Sequence, residues 1–600
     1  MQAPQDSGLD RAQEDLLARL DGIAGQAVPA TAEDDRFRRF LRAYYETATL
    51  DALSQRSPEA LVAIARRHWQ LAQQRPAGGH VLCLTPPAPG QLLAALDTVV
   101  ADQSFLVDSL SLAIRATGSP IDWSVHPVLR LARDADGRLL DVGHGAAESL
   151  IHLEFETLPS GEALARLEAD CRAVLDDLRC VVDDYPQALA RVRQLVGELA
   201  CLPAGASSDE FAEARAFLDY LHDHHFTFLG VIESRATRGD DGRVRFLTDA
   251  ASGLGLLRPG SRWAAQDLIA PAAELDKYAD SPRVVVVTKA ALQSTIHRAG
   301  LMDVVSVKHY DSAGQLAGTV RLLGIFSSEV YIDRPRHIPL IRRKADTVMA
   351  RSRLADNSHS GKNLRDILHG LPRDELFQCS EDELFRLCMG IRALRDRHGL
   401  RLFMRRDRYG RFHAFLVHLP RERYSKELRD RIGQLLMTLC GGLSMDRNVE
   451  FLRGDLTRLQ YIVRTPPGTT LSQGVAEIEA MLVAATRSWR DQLREALADD
   501  AALAARYADA FPLSYAEAAG VAEAAADARV FNGLDAARAL AVRLQVSTPD
   551  DGGPARAIGL KLYTGGQPLA LSDVLPTLEN FGLRVIRQDP TEVRPRDGGS

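Results

Sequence analysis

The sequence predicts an α+β, multidomain chain in which ferredoxin-like units and one mostly antiparallel sheet are joined by helical connectors. Three observations predict it. Between residues 81 and 178 the patterns run strand, helix, strand, strand, helix, which is most of a ferredoxin-like unit, and a second such series occupies residues 400–497. Between them, the apolar runs 284–287, 303–308 and 318–326 follow one another, the last two across Asp311-Ser312-Ala313-Gly314, residues that tolerate positive φ. From Ile338 to about residue 398 the apolar spacing becomes helical, so sheet hands over to helix there.

In order, residues 1–36 read as a mobile tail with one helix, and residues 37–74 as two helices opening a first unit that extends to residue 200. Val81-Leu82-Cys83-Leu84-Thr85 and residues 97–102 read as strands. Ser104 is placed to cap a helix that ends near Gly118. Residues 121–131 alternate as a strand, residues 133–138 make a hairpin turn, 149–155 form another strand and 162–178 a helix. This is the layout of ACT-type ligand-sensing domains. In residues 201–335, a helix over 209–223 leads to the strand 226–232, and Gly253-Leu254-Gly255-Leu256-Leu257 reads as a loop.

The helical connector takes 336–398. The second unit, 399–499, reads as strands 400–405 and 411–419, a helix 425–440, strands 446–453 and 457–464, and a helix over 472–497. Alanine-rich helices are expected over 500–548. In 549–600 a strand from Ala557, a turn at Gly565-Gly566, a helix capped by Ser572 and ended by Gly582, and a strand from Leu583 to Ile586 make too few elements to cover an apolar face. The expectation is a chain that stops inside a third, incomplete unit.

With 46% apolar and 26% charged residues in 600, the composition is ordinary for a globular chain of about three to five domains. A net charge of −7 excludes a generally basic, polyanion-seeking protein. Seven cysteines with no CxxC pair argue against a disulfide framework and a cysteine-rich zinc site, and fit a reducing compartment. Without a basic flank and apolar core at the start, or an apolar window of spanning length, the reading is cytoplasmic with no membrane partner.

Several pieces of the chain, TKAALQSTIHR, RLLGIFSSEVY, IPLIRRKADTVMARS, SHSGKNLRDILHGLPRDELFQ and LFMRRDRYGRFHAFLVHLPRERY, resemble the amino-terminal half of the large NAD-specific glutamate dehydrogenases of bacteria. The resemblance runs from about Phe37 to the end. It implies ACT-like units, a PAS-like sensor domain over the antiparallel sheet, a homo-oligomer and an amino-acid effector. It also implies NAD as cofactor of the full-length enzyme, which converts L-glutamate to 2-oxoglutarate and ammonium. The catalytic part is implied to lie beyond Ser600, so no catalytic residue and no bound NAD are expected of this chain. A free-standing amino-acid sensor is the alternative reading.

The residues themselves agree with that division. A Rossmann pyrophosphate turn needs GxGxxG between strand and helix, and the sequence has none. Gly253-Leu254-Gly255 is followed by Arg258-Pro259-Gly260, and Ser360-Gly361-Lys362 has Asp356 where a phosphate loop needs glycine. His222-Asp223-His224-His225 is the densest group of possible metal ligands, but its bland reading is a helix end facing the C-terminal dipole, and no metal site is assigned.

Thirteen Lys and Arg lie between Arg392 and Arg431. Arg405, Arg406 and Arg411, at two strand ends around a tight turn, suit the carboxylates of a dicarboxylic amino acid or of a neighbouring subunit. Too few aromatics interleave them for nucleic-acid binding. Asp102, Ser104, Phe105 and Asp108 mark a helix N-terminus where free amides can hold a small carboxylate, and with the three arginines they form the candidate effector-binding set.

Overall fold

Apolar side chains at helical spacing draw the first helices onto a sheet. The computed structural model describes residues 6–25, 32–156, 160–200, 207–264, 278–394, 400–408, 410–452, 456–466, 468–487, 489–534, 540–547, 557–565, 569–585 and 588–596. Cys201, Tyr409, Gly566 and Ile586, used in the reading above, lie outside these residues. Helices α1 (Asp6–Gly25), α2 (Ala32–Tyr45), α3 (Leu50–Leu53) and α4 (Pro58–Ala72) bury Leu20, Phe40, Tyr44 and Trp69 against Leu129, Leu131 and Leu150 of the first sheet. Helix α4 begins cleanly because Ser57 accepts the Ala60 N–H and Pro58 stands where no amide partner is needed.

The sheet contains β1 (His80–Thr85), β2 (Leu93–Ala101), β3 (Ile121–Val125), β4 (Val128–Arg133), β5 (Leu139–Val142) and β6 (Ala146–Glu156) in the order β1-β2-β6-β4-β5, with β3 also on β6. Residues 121–131, expected as one strand, are two, interrupted at His126-Pro127. Proline cannot donate to the ladder, yet its carbonyl still accepts the Leu150 N–H at 3.0 Å, so both halves stay on β6. The turn at 133–138 closes β4 on β5, with Asp134 Oδ1 accepting from Asp136 N–H at 3.0 Å and Arg138 N–H at 2.8 Å.

The far face of this sheet is covered by α5 (Leu106–Ala116) and α6 (Gly161–Glu198). Ser104 does not cap α5; Phe105 occupies the cap position at φ 67° with no side-chain hydrogen bond. Helix α6 runs 38 residues, through Pro186, because its buried positions continue from Leu178 through Val181, Ala188 and Val192 to Leu195. One apolar cluster therefore passes from Leu96 and Leu153 through Cys171 and Leu175 to Leu229, Met302 and Leu323 of the next sheet.

Helix α7 (Ser208–Tyr220) and a π-turn at Leu221–His225 lead into that sheet. Strands β7 (Phe226–Arg238), β8 (Val244–Gly255), β9 (Val285–Gln293), β10 (Leu301–Tyr310) and β11 (Leu316–Phe326) pair in the order β8-β7-β11-β10-β9, antiparallel at every step. Gly253-Leu254-Gly255 is not loop but the end of β8, where the backbone of Leu257 comes so close that a Cβ on Gly253 would lie 1.9 Å from its carbonyl oxygen. Next come α8 (Ser328–Ile332), α9 (Ile341–Ser352), α10 (His359–Gly370), α11 (Arg373–Gln378) and α12 (Glu381–Leu394). Helix α9 starts later than Ile338 because Leu340 takes φ 68°, its N–H donating to Glu213 Oε1 at 2.7 Å.

Strands β12 (Arg401–Arg406), β13 (Phe412–Pro420), β14 (Ser444–Phe451) and β15 (Leu456–Arg464) form a sheet ordered β12-β13-β15-β14, with α13 (Lys426–Cys440) between β13 and β14. With β3 and β4 taken as the two halves of one strand and β5 as an addition at the edge, β1-β2-β6-β4 has the same order, so the two sheets share one topology. The helix expected over 472–497 is broken into α14 (Val475–Ala485) and α15 (Trp489–Ala496). Helices α16 (Ala501–Tyr507), α17 (Leu513–Ala518) and α18 (Val521–Asn532) follow.

Residues 500–548 are not helical throughout. Leu540–Ser547 is strand β16, antiparallel to β17 (Ala557–Thr564) and followed by α19 (Leu571–Asn580), again strand, strand, helix. Ala570, not Ser572, stands at the α19 cap. Gly582 at φ 76° ends the helix, with its N–H on the Glu579 carbonyl and that of Leu583 on Leu578, so residues 583–585 close a turn instead of starting a strand. The chain forms two compact units: residues 1–397, 405–413 and 465–469 make the first, and 398–404, 414–464 and 470–600 the second.

Gly137 tests the close packing of the first unit. Its φ is +84° and a Cβ would lie 2.0 Å from the Arg75 carbonyl oxygen, whereas Gly90, at φ +85°, faces open space. Gly90→Ala is expected to show only the backbone cost, about 1 kcal/mol, and Gly137→Ala to exceed it by about 1–3 kcal/mol. Equal shifts of the urea midpoint in the two variants would contradict the contact.

Candidate functional site

Helix α11 carries three charged residues in succession, and burial obliges each to find partners. The Arg373 guanidinium donates to the carbonyls of Val330, Asp333, His369 and Leu371 at 2.7–3.0 Å. Asp374 lies 3.0 Å from Lys289 Nζ, which is also 2.8 Å from Asp303. Glu375 takes Arg405 by both oxygens, at 2.8 and 2.9 Å, and accepts the Cys379 thiol at 3.6 Å. Beside it, Arg411 donates to Asp407 at 2.9 Å and to the Lys289 carbonyl. The ammonium of Lys344 closes the far end of α11, donating to the carbonyls of Leu376, Phe377 and Cys379, and burial pushes its pKa down to about 8.

The charges do not cancel evenly. Two carboxylates share one ammonium in a site where Lys289 is 5% and Asp303 1% exposed. Burial opposes a charged Lys289, but Asp303 and Asp374 outweigh it and its pKa is raised. Burial and then the repulsion of Asp374, against the pull of Lys289, push Asp303 up to about 6. Among the described residues Asp303 Oδ2 has no hydrogen-bond partner. The cluster thus keeps its ammonium charged and holds a proton on the deeper carboxyl in mildly acidic solution. The Cys379 thiol is pushed up by burial first and then by Glu375, which makes it a poor nucleophile.

Arg405 and Arg411 of the expected arginine receptor spend their forks on Glu375, Asp407 and a backbone carbonyl of the same unit, and Arg406 is exposed. The helix-end set divides as well. Asp102 Oδ1 accepts from Ser149 Oγ at 2.7 Å, and Ser104 is exposed. Phe105 and Asp108 meet at His297, whose ring centroid is 4.6 Å from that of Phe105 and whose Nδ1 is 3.1 Å from Asp108 Oδ2. The α5 N-terminus is thus engaged by the loop at 294–300 of the neighbouring sheet.

His222 Nε2 accepts from Arg193 at 2.8 Å, His225 stacks on Tyr220 at 3.8 Å, and His224 sits at φ 58°. Among the described residues no three His, Cys, Asp or Glu side chains group as metal ligands. Sequence reasoning missed Lys289, Asp303, Asp374 and Glu375. A signal existed: Lys289 and Asp303 are charges set among apolar neighbours in their strands, and they pair directly across β9 and β10.

Two sheets of one strand order, each with its own helices, define a multidomain chain of ACT-type units. Family models agree: Glutamate dehydrogenase, ACT1 domain matches residues 40–171, helical motif 1 matches 338–397, ACT2 domain 401–490 and ACT3 domain 540–600. The chain thus carries domains of the glutamate dehydrogenase family models and is similar over nearly all of its length to large NAD-specific glutamate dehydrogenases. Proteins named NAD-specific glutamate dehydrogenase from Halomonas elongata and Pseudomonas aeruginosa are 33% and 31% identical to it over 98% and 93% of this chain. One from Mycobacterium tuberculosis is 26% identical over 89%. The chain spans 37%, 35% and 33% of these relatives' lengths, about a third.

NAD, the cofactor in the relatives' name, does not fit the glycines singled out above. Gly253 and Gly255 end a strand against the Leu257 and Leu229 carbonyls. Gly361 lies within α10, where a Cβ would be 2.3 Å from the Ala355 carbonyl oxygen.

Lys289→Met, leaving two buried carboxylates without their ammonium, is expected to cost about 3–5 kcal/mol. Asp303, protonated more readily folded than unfolded, adds stability at low pH that is lost as pH rises from its ordinary 3.8 to about 6. Asp303→Asn should flatten the urea-midpoint profile across that window, and an unchanged slope would remove Asp303 from the titration.

Proposed function

We propose that this chain is the assembly and effector-sensing portion of a cytoplasmic, homo-oligomeric NAD-specific glutamate dehydrogenase, and that hydride transfer from L-glutamate to NAD is performed by other residues of the full-length enzyme. The observation that carries the reading is that all four matched family models are ACT domains or a helical motif, on a chain about a third as long as its relatives. The absence of GxGxxG from the sequence supports the same division. ACT-type units suit an amino-acid effector. Neither nucleic acid nor membrane is among the proposed partners, and among the described residues no helix is long and apolar enough to cross a bilayer.

The purified 600-residue chain, given L-glutamate and NAD, is expected to form no NADH. Steady turnover by the pure chain would place catalysis within it and overturn the division of roles.

A further inference from the structure

The break between β3 and β4 borders a half-open cavity of about 180 Å³, lined on its other side by Thr47, Ala48, Thr49, Ala52 and Leu53 between α2 and the end of α3. Leu53, Trp123 and Val125 give it an apolar wall, and Thr47, Ser124 and His126 a polar one. Trp123 is fixed there by donating Nε1–H to the Ala52 carbonyl at 3.0 Å, with the Arg56 guanidinium 5.2 Å from its ring.

His126 is fixed by a chain of two hydrogen bonds. Its Nε2 is 3.0 Å from Ser149 Oγ, which is 2.7 Å from Asp102 Oδ1. An ionised carboxylate can only accept, so the Ser149 proton goes to Asp102 and the Ser149 oxygen accepts from His126 Nε2–H. Burial keeps the imidazole neutral, its pKa lowered despite the pull of Asp102. The lone pair is then on Nδ1. His126 is exposed, and its Nδ1, with no protein partner among the described residues, is open to a hydrogen-bond donor at the mouth of the cavity.

We propose that this cavity binds a small primary amine, its N–H donated to His126 Nδ1 and its short aliphatic body laid against Trp123, Leu53 and Val125. The lining contains no lysine or arginine, so a carboxylate would find no cationic partner. At roughly 30 Å³ per liquid water, the space holds about six water volumes, which limits the ligand to a short alkyl chain. Asp102, through Ser149, holds the proton on His126 Nε2 and so keeps the Nδ1 lone pair available to the amine. Asp102 is thus a positioning residue. The inference stands on this geometry alone and does not depend on the dehydrogenase reading.

The test is calorimetric titration of the full chain with n-propylammonium, n-propanol and propionate. Saturable binding is expected for the amine, weaker binding for the alcohol and none for the acid. His126→Leu should weaken the amine about tenfold or more, while His126→Gln, which keeps an accepting oxygen, should retain most of it. Asp102→Asn can donate back to Ser149 and reverse the chain; ¹⁵N-histidine spectra should then move the His126 proton from Nε2 to Nδ1, and amine binding should fall. Should the leucine variant not fold, this second variant decides. No saturable heat with the amine, equal binding by His126→Leu, or preference for propionate would overturn the proposal.

Discussion

Asp374 and Glu375, adjacent on a helix of six residues, are the carboxylates around which the first unit is arranged. Each faces a different cation: Lys289 in the middle of a strand, and Arg405 in the hairpin 405–413. A buried cation without its carboxylate is far more costly than the whole pair replaced together by apolar residues, so neither strand nor hairpin can shift without breaking a pair. The value of such a cluster is geometric more than energetic: it fixes where the helix, strand and hairpin meet. Arg373 and Lys344 complete the arrangement by occupying carbonyls that the short helices leave open.

The repeated strand order shows a second constraint. In both of the sheets that share it the first strand in sequence lies at an edge beside the second, and the second pairs with the last. That places a helix between the second and third strands and buries it on one sheet face, as α5 does with Leu106, Leu110 and Ile114 and α13 with Ile432 and Leu436. Strands β16 and β17 and helix α19 follow the same opening order. Their side chains show it too: Ala541 and Tyr563 are buried, whereas Leu540, Val542 and Leu544 on alternate positions are exposed.

Much of this was legible in the residues. The turn at 311–314, the hairpin at 133–138 and the stop at Gly582 rest on local backbone chemistry that a sequence displays directly. Elements failed where a neighbour overrode the local pattern. Leu340 is held at positive φ by Glu213, more than a hundred residues earlier, and Phe105 displaces Ser104 from the cap while its ring meets His297. Of the seven candidate effector residues, Arg405 and Arg411 were recognised as carboxylate binders, but their partners could not be: Glu375 lies thirty residues from Arg405 and is identified only by packing.

The sequence by itself determined the class of elements, their order and the family resemblance, because periodicity, turn residues and long motifs are properties of the chain read locally. Only the tertiary structure decided which charges meet, that Asp303 faces Lys289 across two strands, and that His126 receives its tautomer from Asp102 through Ser149. Hydrogen bonds and ion pairs act over a few ångströms of space, and distance along the chain says nothing about which groups will come that close.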